Sequence, residues 1–155
     1  MTPRRLIRSM TVGLVVVAVG CGDAGETMTT QDWVTAADAV CADMNAQLEP
    51  IPEPQSIDEM ADASAQVDEI WRTGLAELRA LGLPDENAAA ATAVLDAFDE
   101  LIDVSAQWSG AFIAAGSMVD MTPELETLFG ELESATTNAA LLAEDIGLQQ
   151  CFTNQ

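Results

Sequence analysis

Histidine, lysine and tyrosine are absent from this sequence, and only five arginines stand against 26 aspartates and glutamates. Without histidine there are no imidazole ligands for the common zinc sites and no Glu-x-x-His pairs for a di-iron bundle. A serine or threonine nucleophile would lack two of its usual bases, imidazole and a lysine amine. Two convergent carboxylates can run a glycosidase reaction, but they must face each other across a cleft, and a compact helical chain of this length offers none. No Asp-x-Asp-x-Asp-Gly loop is present to wrap a calcium ion. The composition therefore points away from an enzyme, and neither a cofactor nor a metal is expected.

The scarcity of basic residues is also uneven. Arg4, Arg5 and Arg8 precede residue 21 and every acid follows it, which leaves Arg72 and Arg79 against 26 carboxylates, a formal charge of −24. Such a surface repels phosphate backbones and anionic headgroups, which excludes nucleic-acid binding and a protein lying flat on a membrane. Asp96, Asp99, Glu100 and Asp103 share one helical face. They alternate with the apolar Val94, Phe98 and Leu101, the pattern of a solvated helix surface rather than a cation site.

What is present at the start is a basic stretch, then an uncharged, mostly apolar run of about eleven residues from Met10 to Gly20, the plan of a signal peptide. A helix needs roughly twenty apolar residues to span a bilayer, so this run is too short to stay as a transmembrane anchor. It ends in Ala18-Val19-Gly20-Cys21. That ending resembles the lipobox of bacterial lipoprotein precursors, with Ala18 standing where leucine is usual. The resemblance covers residues 1–21 and implies cleavage before Cys21, lipid on its sulfur and anchoring at the extracytoplasmic face of the cell membrane. Two or three acyl chains then hold the protein, since a single chain binds only marginally.

Cysteine parity agrees with that reading. Outside the cytoplasm an odd thiol is a liability, and placing lipid on Cys21 leaves Cys41 and Cys151 as one pair. Residues 21–31 carry the lipidated cysteine and a small, polar stretch without apolar period, a flexible tether reaching at most about 30 Å. Residues 32–155 form the one domain expected of a chain this long.

Four helical stretches fill that domain. Trp33, Ala37, Val40, Met44 and Leu48 recur at spacings of three and four, with Thr29 and Asp32 as an acidic capping box. Glu49-Pro-Ile-Pro-Glu-Pro54 must end that helix, because proline removes alternate backbone donors. Ser56 and Glu59 form a second capping box, and Met60, Val67, Ile70, Trp71, Gly74, Leu78 and Leu81 are expected inward. A third helix is expected from about Asp85 to Gly116, with Gly110 as a point where it could kink. Thr122-Pro123-Glu124 starts a fourth, closed at Gly147-Leu148. The fold class is thus all-α, an up-down-up-down four-helix bundle behind the signal peptide and tether. In that topology the first and fourth helices are antiparallel neighbours, and the chain leaving the fourth returns along the first, bringing Cys151 to Cys41.

The same topology gathers the proline-rich link and the link at residues 117–121 at the end away from the tether. Ile51, Met118, Val119 and Met121 are the candidate partner-binding residues there, methionine being adaptable at binding surfaces. Trp33, Trp71 and Trp108 each fall on an inward stripe and are expected in the core.

A helix bearing Ala39-Val40-Cys41, a proline-rich link, an acidic Ala- and Leu-rich middle and a terminal Leu148-Gln149-Gln150-Cys151 looks like small secreted or lipid-anchored helical proteins of actinobacteria. Arginine without lysine, and much alanine, fits a high-GC genome. That resemblance implies fold and location and carries no activity. The expected role is a non-enzymatic binding module of the cell envelope, its partners being the membrane through Cys21 and an envelope protein or ligand. The alternative is a carrier holding an apolar molecule or lipid between its helices, for which Gly74 and Gly110 would leave room. A void of roughly 300 Å³ or more distinguishes the two.

Overall fold

The computed structural model describes residues 28–116 and 121–151, and among them there are four helices and no strand. These are α1 (Thr30–Leu48), α2 (Ile57–Ala80), α3 (Ala88–Ala115) and α4 (Pro123–Ile146). The expected signal peptide at 1–20, Cys21 and the tether to residue 27 lie outside the described residues, as do Met118 and Val119.

Three of the four helix starts are capped by the residues that the sequence singles out. Thr29 Oγ1 accepts from the Asp32 amide at 3.1 Å, Ser56 Oγ from the Glu59 amide at 3.2 Å, and Thr122 Oγ1 from the Leu125 amide at 3.2 Å. Each satisfies a donor that has no partner inside the helix. The Glu59 carboxylate in turn accepts from the Gln55 amide at 2.7 Å, closing the capping box one residue further out. At the other end of α4, Gly147 takes a φ of 100°, a left-handed conformation that glycine adopts without strain. Leu148 then folds back, buried, with its amide donating to the Ala143 carbonyl at 2.9 Å.

The third helix departs from expectation. It begins at Ala88 rather than near Asp85, because the residues before it are engaged in docking on α1. Asn87 has a φ of 64° and caps nothing; its side-chain amide donates to Thr30 Oγ1 at 3.2 Å. Thr30 donates to the Glu86 carbonyl at 2.9 Å, the Asp85 amide to the Met28 carbonyl at 3.1 Å, and Trp33 Nε1 to the Gly82 carbonyl at 2.9 Å. The α2–α3 link is therefore fastened to the start of α1, so α1 and α2 run antiparallel and Met28 lies at that end. The helix continues unbroken through Gly110.

Close helix packing follows chain order: α1 on α2, α2 on α3, and α3 on α4. The expectation that α1 and α4 are direct neighbours needs correction, since among the described residues they are not a closely packed pair. The segment after α4 joins them instead. Asp38 accepts the amides of Gln149 and Gln150 at 2.8 and 2.9 Å, and Asn45 Nδ2 donates to the Gln150 carbonyl at 2.7 Å. The Cys41–Cys151 disulfide lies between these two contacts, its Cα atoms 4.7 Å apart.

One buried cluster draws on all four helices, including Trp33, Ala37, Leu78, Leu101, Ile102 and Ala139. Alanine at many of these positions lets backbones approach closely. Gly74 does the same between α1 and α2, where an added Cβ would overlap the Met44 Sδ. The room expected at Gly74 is thus already filled by a methionine. The cluster is concentrated toward the Met28 end: α2 has no buried residue before Gly74, and α3 has none between Ile102 and Phe112.

Candidate binding site

Why the other end stays open follows from helix length. At 1.5 Å per residue, α1 is about 28 Å long, α2 about 36 Å and α3 about 42 Å. Pro50, Pro52 and Pro54 stop α1 before it has covered its longer neighbours, and the link bends over instead, with the Ile51 amide donating to the Leu48 carbonyl at 3.0 Å. The antiparallel upper halves of α2 and α3 are left with a groove between them, roofed at its outer end by Ile51, Pro52 and Pro54. Its volume is about 610 Å³.

The walls are apolar: Met60, Val67 and Trp71 from α2 face Ile102 and Ile113 from α3. Small side chains open the space between them, among them Ser64 on α2 and Ser105, Ala106, Ser109 and Gly110 on α3. Gly110 is exposed on the open side of the groove, with nothing within 4 Å of where its Cβ would stand. Met60, Val67 and Trp71, expected inward, are only half-buried, because the face that they form has no fourth helix against it. Trp71 rests tilted against Phe98, ring centroids 6.5 Å apart at 56°.

The other two tryptophans divide. Trp33 is fully buried at 0% exposure, whereas Trp108 is half-buried and stacks on Phe112 with centroids 5.1 Å apart. The Trp108 Nε1 is buried without a hydrogen-bond partner among the described residues.

Charge around the groove has one sign in excess. Arg72 donates to Asp68 at 3.0 Å and to Asp103 at 3.2 Å, and Arg79 donates to Asp99 at 2.8 Å. Hydrogen bonds to Asp68 and then Asp103 raise the Arg72 pKa above its ordinary value. Both described arginines are therefore held by carboxylates. Asp68 lines the groove in this paired state, while Glu53, at the outer end, is exposed and has no basic partner among the described residues. The four carboxylates of the α3 face are solvated, two of them in these ion pairs, and the described residues contain no group of three or more His, Cys, Asp or Glu side chains placed to hold a metal ion.

Of the residues expected to bind a partner, Ile51 lines the groove and Met121 is 48% exposed at the head of α4, outside the groove lining. Met118 and Val119 lie outside the described residues. The groove itself was missed by sequence reasoning. Its signal was there in the contrast between a first helix stopped by prolines and two longer apolar-striped helices that follow it.

Among the described residues no helix is long and apolar enough to cross a membrane. No protein-family model matches the chain, and no curated protein or solved structure matches it either.

Proposed function

We propose that this protein is a lipid-anchored, extracytoplasmic and non-enzymatic binding module whose α2–α3 groove holds an apolar ligand. The observation that carries the ligand reading is the groove volume of about 610 Å³ between apolar walls, within the roughly 300–1,000 Å³ of small-molecule sites. This favours the carrier reading over a protein-docking surface at the distal methionines. Export is supported by the disulfide, a bond that persists in oxidising compartments. With Cys21 anchored and the chain entering at the Met28–Asp85 end, the groove lies in the half of the domain away from the membrane.

Two measurements test the two halves. Intact mass spectrometry of protein taken from its native membrane should find a chain beginning at Cys21 with acyl groups attached; a chain retaining Met1 would remove the anchoring half. For the ligand half, the uncharged apolar dye phenylnaphthylamine should bind the soluble domain at one site and brighten. Gly110→Leu should abolish that signal by filling the groove, while Gly130→Leu, on α4 with open space around its Cβ, should leave it intact. Equal binding by Gly110→Leu and wild type would overturn the site.

A further inference from the structure

We infer that the occupant of the groove is a single-chain amphiphile with a cationic head, its chain lying along α2 and α3 and its head at Glu53. This rests on the groove reading above and adds the chemistry of the ligand. The lining runs from Met60 to Trp71 on α2 and from Ile102 to Ile113 on α3, about 16 Å in each case at 1.5 Å per residue. Over that length the groove is a slot open along one side. An extended peptide laid in it would bring backbone N–H and C=O groups against aliphatic walls that cannot satisfy them. An alkyl chain does not have that problem. At about 1.5 Å per carbon–carbon bond, zigzagged, roughly a dozen methylenes span the slot.

The head follows from charge. An anionic carboxylate, sulfate or phosphate head would find no free cation among the described residues, because Arg72 and Arg79 are both engaged by aspartates. The domain beyond Cys21 adds a field of −24 against any anion. A cationic head at the outer mouth meets Glu53 with no competing arginine among the described residues, whereas the lining carboxylate of the inner end, Asp68 beside Trp71, is already paired with Arg72. The carboxylate left for a cationic head thus stands at the outer end.

Displacement of bound phenylnaphthylamine separates this inference from the one beneath it. Below their micelle concentrations, dodecyltrimethylammonium should displace the dye at a concentration at least about tenfold lower than dodecyl sulfate, and tetramethylammonium, which has no chain, should displace none. Glu53→Arg should narrow or reverse the preference, each displacement being measured against that variant's own affinity for the dye. If dodecyl sulfate displaces the dye as well as the cation does, the head-group inference fails and the groove stands. A preference unchanged in Glu53→Arg also overturns it, since the bulk charge would then be acting rather than the mouth. Displacement by tetramethylammonium would overturn the chain. If the dye does not bind at all, the groove reading fails first.

Discussion

Replacing Cys151 with alanine should lower the stability of the domain by about 2 to 5 kcal/mol, a fall in melting temperature on the order of 10 to 20 °C. The bond joins residues 110 apart, so it removes much of the conformational freedom of the unfolded chain. Its effect in the folded state is as direct. Because α1 and α4 are not closely packed, the seam between them depends on the segment after α4, and Cys151 is its covalent fastening. The Asp38 and Asn45 hydrogen bonds hold the same segment but are exposed, worth roughly 1 kcal/mol each at most. Cys151 is the better position to change, since Cys41 is fully buried and its replacement would also disturb the core. Thermal unfolding with and without reductant provides the control: the reductant should bring wild type close to Cys151→Ala and leave the variant unmoved. An unchanged melting temperature on reduction would mean that the hydrogen-bonded strap closes the bundle unaided.

Trp33→Ala should cost about 3 to 5 kcal/mol, the range for emptying a large buried aromatic site. Trp33 is fully buried and sits where α1, the α2–α3 link and the core meet, and its Nε1 holds the Gly82 carbonyl at 2.9 Å. Trp33→Phe isolates the polar part, retaining most of the volume while leaving that carbonyl without its donor, at about 1 to 3 kcal/mol. Chemical denaturation of the three proteins checks both numbers. A Trp33→Ala variant as stable as wild type would contradict the placement of the core at the Met28 end.

The elements legible in the sequence were those governed by local chemistry. Thr29, Ser56 and Thr122 cap the helices because a short side-chain oxygen can reach an unpaired amide two or three residues on, and that requirement is readable one residue at a time. Gly147 is readable for the same reason. The disulfide was legible through parity together with an antiparallel return of the chain. The start of α3 was not, because Asn87 and Asp85 answer to Thr30 and Met28, partners more than fifty residues away. Nor was the groove. The stripe of Met60, Val67 and Trp71 declares an apolar face on α2, but whether a neighbour covers that face depends on the length of another helix. Gly74 makes the same point: it removes a side chain from the α2 stripe, yet the space is taken by Met44 of another helix.

The central claim, an apolar chain lying beside Trp71, is tested most directly by tryptophan fluorescence with a terminally brominated dodecyltrimethylammonium, since bromine quenches only indoles that it approaches. Of the three indoles in the chain, Trp71 alone lines the groove. Saturating quenching that disappears in Trp71→Phe and in Gly110→Leu, and persists in Trp108→Phe, is the expected result. Quenching that survives the loss of Trp71 would place the chain elsewhere on the molecule and contradict the account.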